Sequence, residues 1–375
     1  MKIGYDAKRA FTNTSGLGNY SRFVISGMMV HFSKDEYSLF TPRKNDLFKN
    51  FFPPVAKTQV VLPNGLGKRF SSIWRTFGLR AALPKHGVQV YHGLSNELPY
   101  GLDRQKTKLV VTIHDLIFLR FPELYPTIDR YIYRKKFKDA CDAAHQIIAI
   151  SEQTAQDLEE FFGVTREKVQ VVYQDCDPVF QQFLEKEALN AIQEKYQLPA
   201  QFILCVGTLE RRKNQLHLLK GWLAAGTPVP LVFIGRKTEY HKEMLAFIQQ
   251  HDLEQKVLFL PYIPFEELPA IYQLATLFVY PSIFEGFGIP IVEALNSGVP
   301  VITSTGSCFS EAGGSAARYV SPTDAEALAQ AIQEILSSSE LQKQMVKLGL
   351  EHVQTFRPEV TIPQLHQVYE RVLEQ

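Results

Sequence analysis

The chain has 375 residues and contains little that would cross-link it, anchor it or direct its secretion. Its four cysteines, Cys141, Cys176, Cys205 and Cys308, lie far apart and form no Cys-x-x-Cys pair. This spacing argues against a disulfide framework and a zinc site, and predicts buried, small hydrophobic side chains. No apolar run approaches the roughly 18–20 residues that span a bilayer, and Met1 leads directly into a strand pattern. The sequence therefore predicts a protein that is made and retained in the cytoplasm.

Several catalytic signatures are also absent. The chain has no His-Glu-x-x-His, no Gly-x-Ser-x-Gly and no Gly-Lys-Ser/Thr phosphate loop, which excludes the usual metalloprotease, serine hydrolase and P-loop patterns. Asp175 and Asp177 form an Asp-x-Asp that binds a divalent ion in some enzymes. A turn-forming aspartate before Pro178 explains Asp177 without a metal, so no metal is expected.

The charge is balanced overall but uneven along the chain. Hydrophobic residues make up 45% and charged residues 21%, and the net charge is +1. Residues 1–177 contain 25 Lys and Arg against 18 Asp and Glu, whereas the remainder contains 15 against 21. A basic first half suits anionic lipid, a phosphate-bearing substrate, nucleic acid or an ordinary solvated surface. Without zinc-finger spacing or a continuous basic helix, no nucleic-acid partner is expected.

Short apolar, β-branched runs alternate with helical patterns, which predicts an α/β protein with parallel sheets. The predicted strands are Lys2–Asp6, Tyr37–Thr41, Thr58–Leu62, Val88–His92, Lys108–His114, Gln146–Ile150, Val169–Tyr173, Phe202–Gly207, Leu231–Gly235, Val257–Leu260, Leu277–Tyr280 and Val299–Thr303. Helices are predicted near Asn19, Phe70, Thr127 and Ser151, and over Ala325–Ser337 and Leu341–Thr355. The pattern restarts once, so the length and the repeat together predict two doubly wound domains.

The predicted limits are an N-terminal Rossmann-like domain at 1–177, a polar helix and linker at 178–199, and a C-terminal Rossmann-like domain at 200–355. A last helix, 356–375, is expected to pack back on the N-terminal domain. Open parallel sheets bind ligands at the carboxyl ends of their strands. A site in a cleft between two facing sheets is therefore expected.

Residues 285–293 read Glu-Gly-Phe-Gly-Ile-Pro-Ile-Val-Glu and are the most informative stretch of the chain. Gly286 and Gly288 allow backbone N–H groups to approach a ligand, and Pro290 suits the first turn of a helix. A phosphate at that helix's positive end would lie between Glu285 and Glu293, which suits a sugar nucleotide. By chance alone, glycines before a helix and two glutamates eight residues apart are also common.

Three further segments carry groups that suit a charged, hydroxyl-rich ligand. Gly16 and Gly18 follow the first strand and permit a tight turn, but no third glycine or later acidic residue supports a nicotinamide site. His114 ends the fifth strand and could donate a hydrogen bond to a substrate, or form a structural pair with Asp115. The run Arg211-Arg212-Lys213 precedes a helix, where positive charge opposes the helix dipole and needs an anion such as a diphosphate.

Taken in this order, the motifs resemble retaining, nucleotide-sugar-dependent glycosyltransferases of the GT-B fold, in the large family 4 that includes many bacterial mannosyl- and glucosyltransferases. The resemblance covers nearly the whole chain. Its most specific segments run from Val206 to Asn214 and from Tyr280 to Leu295. The segments Gly16–Tyr20 and Thr112–Asp115 resemble the family's amino-domain motifs.

The resemblance implies roles for particular residues. It implies that Glu285 binds the donor sugar and Glu293 the ribose, while Arg212 and Lys213 balance the departing diphosphate and His114 faces the sugar. It further implies that the donor or acceptor is contacted at Gly16, Gly18, Gly207, Leu260, Ile263, Gly286, Phe287, Gly288 and Ile289. The departures are Arg211, where many relatives have Pro, and the loop Ser304–Ser315, which lacks the family's Gly-Asp.

The resemblance implies transfer of a hexose from a nucleotide diphosphate sugar to a hydroxyl of a glycan or lipid-diphosphate-linked acceptor, with retention at the anomeric carbon. It favours mannose from GDP-mannose over UDP-hexose donors, in surface polysaccharide or lipopolysaccharide assembly, without a metal. Two alternatives stay open: a sugar-nucleotide epimerase of the same fold, and a non-catalytic sugar-nucleotide binder. Aromatic residues and cations alternate from Tyr131 to Lys138 on a predicted helix, which suits peripheral contact with an anionic membrane or, alternatively, core packing by the aromatics.

Overall fold

The computed structural model describes residues 1–45, 52–54, 56–64 and 73–375. Within these ranges the contacts divide the chain into two compact units. The first consists of Met1–Asp175 and Phe356–Gln375, and the second of Cys176–Thr355. The domain ends predicted from the sequence, at residues 177, 199 and 355, were assigned on other grounds than these contacts and stay predictions.

The first unit contains a seven-stranded parallel sheet in the order β3-β2-β1-β4-β5-β6-β7. Its strands are β1 (Lys2–Asp6), β2 (Glu36–Phe40), β3 (Lys57–Val61), β4 (Val90–Gly93), β5 (Lys108–Ile113), β6 (Gln146–Ala149) and β7 (Val169–Val171). Its helices are α1 (Lys8–Thr12), α2 (Gly16–His31), α3 (Leu79–Lys85), α4 (Ile117–Arg120), α5 (Thr127–Ala143), α6 (Glu152–Phe162) and α15 (Pro358–Glu374). The chain order reverses between β1 and β4, as in doubly wound sheets.

The second unit contains a six-stranded parallel sheet in the order β10-β9-β8-β11-β12-β13. Its strands are β8 (Ile203–Val206), β9 (Leu231–Ile234), β10 (Val257–Phe259), β11 (Leu277–Tyr280), β12 (Val301–Ser304) and β13 (Ala317–Val320). Its helices are α7 (Lys186–Lys195), α8 (Gln215–Ala225), α9 (Tyr240–Gln250), α10 (Leu268–Leu274), α11 (Ile289–Asn296), α12 (Phe309–Gly313), α13 (Ala325–Ser337) and α14 (Ser339–His352). The predicted class, α/β with two doubly wound domains, is therefore confirmed.

Several helix boundaries follow from capping side chains. The Ser151 hydroxyl accepts from the Thr154 N–H and begins α6, which ends at Gly163 in the left-handed region. Asp324 caps α13 in the same way, through the Ala327 N–H. The Asp177 carboxylate accepts from the Val179 N–H at 3.1 Å, which confirms its predicted turn role.

Other predicted boundaries shift for local reasons. The strand predicted from Val88 begins at Val90, because the Val88 N–H bonds to the Leu83 carbonyl oxygen at 3.1 Å and completes the preceding turn. The helix predicted near Asn19 begins at Gly16, and α1 precedes it. The edge strand β13 was not predicted, because its four residues lack a fully buried pattern. The helix start predicted near Phe70 lies outside the described residues.

Each unit has its own apolar core. One cluster of the first unit joins β5 and β6 to α6 through buried aliphatic side chains. All four cysteines of the chain are buried thiols, as predicted. In the second unit, Trp222 and Leu328 belong to the cluster between the sheet, α8 and α13. The C-terminal helix α15 packs against α2, and a Cβ at Gly27 would lie 2.6 Å from Cγ1 of Ile362. This close helix contact requires glycine at position 27.

Candidate functional site

The carboxyl edge of the second sheet gathers the predicted donor-site residues from two segments about 70 residues apart. β8 ends at Val206 and is followed by a 3-10 turn, Arg211–Lys213; its neighbour β11 ends at Tyr280. The Ile283 N–H donates to the Arg212 carbonyl oxygen at 2.8 Å. The Arg212 guanidinium donates in return to the Phe284 carbonyl oxygen at 2.6 Å. These bonds hold the two segments together.

Glu285 is the centre of this arrangement. Its side chain is only 11% exposed, and four donors converge on one carboxylate oxygen, Oε1. The distances are 2.7 Å from Arg212 Nη1, 2.6 Å from Lys213 Nζ, 2.5 Å from Ser282 Oγ and 3.0 Å from the Tyr280 hydroxyl. Arg212 also bonds to Glu210 at 2.6 Å through Nη2. The structure thus brings the three predicted residues Glu285, Arg212 and Lys213 into direct contact.

The electrostatics keep Glu285 ionised. Burial by itself raises the pKa of this carboxyl, but the adjacent charges of Lys213 and Arg212 outweigh burial and lower the pKa to about 2. The same pairing raises the pKa of Arg212 against the opposing effect of burial. The cluster is therefore a preformed, largely buried set of opposite charges.

Tyr280 holds Lys213 in place. The Lys213 ammonium donates to the Tyr280 hydroxyl and lies 4.9 Å from the centroid of that ring. Burial raises the pKa of the Tyr280 hydroxyl far above its ordinary value, so this group stays protonated and can donate to Glu285. One tyrosine thus bridges the cation and the carboxylate.

A second loop fixes the backbone of Glu285. Ser307 has a φ of +50°, and its hydroxyl accepts from the Glu285 N–H at 3.2 Å and donates to the Glu285 carbonyl oxygen at 3.1 Å. The buried thiol of Cys308 approaches the same carbonyl oxygen at 3.3 Å. This loop belongs to the segment Ser304–Ser315 that departs from the family pattern, yet it still contacts the site.

Glu293 lies in α11, one turn beyond Pro290. It is buried, and its Oε2 accepts from the hydroxyl of buried Tyr272 at 2.9 Å. Burial raises the pKa of Glu293 to about 7, although the Tyr272 hydrogen bond opposes the rise. The two glutamates of the motif therefore have opposite electrostatic environments, one fixed as an anion and one poised to titrate.

The segment between them forms the start of α11. Gly288 is the N-cap residue with a φ of +101°, a conformation that strongly favours glycine, and Ile289 is the first helical residue. Phe287 is buried. This geometry confirms the predicted turn into a helix with Pro290 in the first turn. Pro290 has no N–H, and the Ile291 N–H donates to the Gly288 carbonyl oxygen at 2.9 Å.

Gly207 lies beside the charged cluster. Its φ is +143°, and a Cβ built there would lie 3.9 Å from Cε of Lys213. Gly235, at the end of β9, was not predicted; a Cβ there would collide with the Gly207 carbonyl oxygen. Leu260 and Ile263 follow β10 and are buried. In the sheet, β9 lies between β10 and β8, so β10 and β8 are about 10 Å apart.

His114 belongs to the first unit and follows β5. It is buried, its Nε2 lies 2.9 Å from the Leu94 carbonyl oxygen, and burial lowers its pKa to about 4. A carbonyl oxygen only accepts, so Nε2 carries the proton and Nδ1 has the lone pair. His114 therefore offers a ligand an acceptor, whereas the sequence suggested a donor.

The two glycines near the start differ in environment. A Cβ at Gly18 would collide with the Asn13 carbonyl oxygen, so close backbone approach explains this glycine. A Cβ at Gly16 would have no neighbour within 4 Å. Packing thus requires glycine at position 18 and leaves position 16 open.

Within residues 1–45, 52–54, 56–64 and 73–375, no group of three or more His, Cys, Asp and Glu side chains is arranged to hold a metal ion. In the same described ranges, no helix combines the length and the apolar character needed to cross a bilayer.

Sequence reasoning assigned no role to Tyr272, Tyr280, Ser282 or Ser307. Tyr280 ends the predicted strand Leu277–Tyr280 and Ser282 follows two residues later, so their position at the carboxyl edge was a usable signal. Tyr272 lies on a helix and contacts Glu293, and Ser307 lies in a loop and contacts Glu285. Only the tertiary structure shows these two contacts.

Two family models match the chain. Residues 31–178 match Glycosyltransferase Family 4, and residues 189–352 match Glycosyl transferases group 1. The chain is 30% identical over 281 residues to O-antigen chain mannosyltransferase B of Escherichia coli, an alignment that covers 73% of this chain and 72% of that protein.

The fold is similar to that of solved structures. Sucrose-phosphate synthase from Thermosynechococcus elongatus aligns with a TM-score of 0.77 at 21% identity, covering 100% of this chain and 99% of that one. Anabaena HepE in complex with UDP-glucose aligns with a TM-score of 0.74 at 16% identity, covering 99% and 100%. From these matches, the chain belongs to the family 4 glycosyltransferases and has the GT-B fold.

Proposed function

We propose that this protein transfers a hexose, preferentially mannose, from a nucleotide diphosphate sugar to a hydroxyl of a glycan or lipid-linked acceptor, with retention at the anomeric carbon. The preference for mannose is supported by the relative that is named an O-antigen chain mannosyltransferase. The same relative supports a setting in the assembly of surface polysaccharide, including lipopolysaccharide.

The observation that carries the proposal is the convergence of Arg212, Lys213 and two hydroxyls on one oxygen of Glu285. Among the described residues, the contacts to this carboxylate involve Oε1, which leaves Oε2 to accept hydrogen bonds from sugar hydroxyls. An ionised, immobilised acceptor suits the recognition of a hexose. Glu285 is therefore assigned to the donor sugar.

The two cations supply the main catalytic effect. When the glycosidic bond breaks, negative charge grows on the departing diphosphate, and fixed positive charge nearby stabilises that state more than the ground state. Arg212 and Lys213 are 14% exposed and already positioned, so little reorganisation is needed. The positive end of the α11 dipole adds to the same field.

Glu293 is assigned to the ribose hydroxyls of the nucleotide. Its carboxylate is held by Tyr272 and lies on α11, which directly follows Gly286–Gly288. Leu260 and Ile263 are assigned to the base, and Gly207 to the diphosphate side of the site. From the first unit, Nδ1 of neutral His114 is assigned as an acceptor for a donor-sugar hydroxyl, and the Gly16 and Gly18 segment as the approach to the diphosphate and acceptor.

The nucleotide sugar is a co-substrate, and the reaction is proposed to need no metal, because Arg212 and Lys213 provide the positive charge. A nucleotide diphosphate sugar as donor is supported by the similar Anabaena structure in complex with UDP-glucose. We prefer GDP-mannose to a UDP-hexose because of the named mannosyltransferase relative. Transfer to a lipid-linked acceptor also implies a cytoplasmic protein with peripheral contact to the inner face of an anionic membrane.

A thermal-shift screen against nucleotide sugars tests the donor. A ligand that binds the folded state raises the melting temperature by mass action, and GDP-mannose is expected to give the largest rise. Incubation of the preferred donor with a defined glycan acceptor, followed by NMR of the product, then reports the anomeric configuration. An inverted anomeric centre, or sugar rearrangement without an acceptor, would contradict the proposal.

A further inference from the structure

The first half of α5 projects an apolar stripe into solvent. Ile128 is 74% exposed, Tyr131 72% and Ile132 42%. Together with Lys135 they occupy positions i, i+3, i+4 and i+7, so their side chains share one face of the helix. Leu124, 38% exposed, precedes them in the adjoining 3-10 turn. Large exposed apolar side chains on one helix face mark a surface that contacts a partner.

The opposite face of α5 is anchored in the first unit. Tyr133 and Phe137 pack edge-on against Phe118, with ring centroids 5.8 and 5.1 Å away, and Ala140 and Cys141 are fully covered. These positions lie roughly half a helical turn from the stripe. The core contacts that the sequence left open therefore exist, but they account for Tyr133 and Phe137 and not for Ile128 and Tyr131.

Cations border the stripe on both sides. Lys136 flanks one edge, Arg134 and Lys138 flank the other, and the whole of α5 contains five Lys and Arg against three Asp, namely Asp129, Asp139 and Asp142. Lys135, Lys136 and Lys138 are 62%, 46% and 42% exposed, and each pairs with a carboxylate, that of Asp139, Glu97 and Asp142 respectively. Such exposed pairs contribute little, so the ammonium groups can turn to lipid phosphates. Long cationic side chains beside an apolar strip can extend to phosphate groups while the strip enters an apolar phase.

A groove continues from the stripe toward the end of α6. It measures about 290 Å³ and is lined by Tyr131, Arg134, Lys135, Lys138, Asp139, Phe161 and Phe162. Three of these side chains are cationic, three are aromatic and one, Asp139, is acidic. The groove thus presents positive charge above an apolar floor, a combination that matches an anionic lipid headgroup with its attached chain.

We propose that the exposed face of α5, defined by Ile128, Tyr131, Ile132 and Lys135, docks together with the preceding Leu124 on an anionic phospholipid bilayer, with a lipid phosphate held at the groove beside Arg134 and Lys138. The proposal identifies the surface that makes the membrane contact. It rests on the proposed function only for the reason to dock, which is access to a lipid-linked acceptor. Charge complementarity selects the bilayer as the occupant, because the cations flank the apolar stripe along its length.

Vesicle co-sedimentation of the full chain tests the surface. Vesicles of equal parts phosphatidylcholine and phosphatidylglycerol should bind the protein at low salt, and pure phosphatidylcholine vesicles should not. Each cation near the surface contributes about 1 kcal/mol, or roughly fivefold in partitioning, so Arg134→Gln with Lys135→Gln should lower binding about 25-fold. Ile128→Ser with Tyr131→Ser should also abolish binding, and high salt should weaken it.

A matched control removes the same charge elsewhere. Lys343 and Lys347 are exposed four residues apart on α14, in the second unit. Lys343→Gln with Lys347→Gln should leave vesicle binding within about twofold of the parent protein, since nonspecific charge is then the only loss.

Three outcomes would overturn the proposal. The first is equal binding to neutral and anionic vesicles. The second is an equal loss of binding in both charge-deleted proteins. The third is self-association that the Ile128→Ser and Tyr131→Ser changes abolish, without vesicle binding, because a second copy would then cover the stripe. Transfer to a soluble acceptor, measured on the same proteins, separates this result from the proposed function. If the parent protein transfers sugar but does not bind anionic vesicles, only the docking surface is refuted.

Discussion

Replacing Glu285 with glutamine tests whether the charged cluster is a preformed site. The change Glu285→Gln removes the anion that Arg212 and Lys213 share at 2.7 and 2.6 Å. The pKa of this carboxyl falls from 4.5 to about 2 in the folded protein, a shift worth roughly 3 kcal/mol. Breaking a buried ion pair by removing one partner costs about 3–5 kcal/mol, so the two magnitudes agree.

The assay is thermal melting as a function of pH. A domain of this size shifts by about 2–4 °C per kcal/mol, so the variant should melt roughly 6–12 °C below the parent protein at pH 7. The folded-state pKa is depressed, so the contribution of Glu285 is present above pH 4.5 and is lost as the pH falls toward 2. The difference between the two proteins should therefore be constant near neutrality and shrink in acid.

An exposed ion pair in the same unit supplies the control. Arg211 and Glu243 lie 2.7 Å apart, but their side chains are 69% and 39% exposed. Such a pair contributes only about 0–1 kcal/mol, so Glu243→Gln should change melting by at most about 2–4 °C. Equal shifts in the two variants, or a Glu285→Gln shift that does not depend on pH, would refute the claim that Glu285 is held as a buried anion.

Two further predictions concern single side chains. Tyr272→Phe removes a hydroxyl that lowers the pKa of Glu293, so the pH at which nucleotide binding is half-lost should rise above about 7 and the Kd at pH 7 should increase. Calorimetry across a range of pH measures both quantities. An unchanged midpoint would exclude a role for Tyr272 in positioning Glu293. Gly18→Ala should lower the melting temperature, because the added Cβ collides with the Asn13 carbonyl oxygen. Gly16→Ala should melt like the parent protein and, if that segment contacts substrate, raise KM. Equal melting temperatures for the two variants would contradict the close backbone approach at Gly18.

Helix starts and turns were predictable because they depend on residues that are close together in the sequence. Ser151 and Asp324 identify helix starts by their capping chemistry, and Pro290 with Gly288 identifies the turn into α11. The strand β13 was missed because an edge strand with few buried residues lacks the period on which strand prediction depends.

The site was predictable only in part. The motif residues Arg212, Lys213 and Glu285 were identified, but their direct contact depends on β8 and β11 being neighbours in the sheet, which sequence order does not reveal. The hydrogen-bonding direction of His114 likewise depends on the Leu94 carbonyl oxygen, a tertiary neighbour. The family motif was enough to identify the site residues, but only the folded structure shows which residues they contact.

The most direct test of the central claim is transfer of labelled sugar from GDP-mannose to acceptor lipid, comparing the parent protein with Lys213→Ala. Loss of one group that stabilises the leaving diphosphate costs about 2–4 kcal/mol, so the variant should transfer roughly 30- to 800-fold more slowly while its folded state persists at the assay temperature. Transfer at the parent rate by the folded variant would contradict the account. So would the absence of transfer by the parent protein from any nucleotide diphosphate hexose.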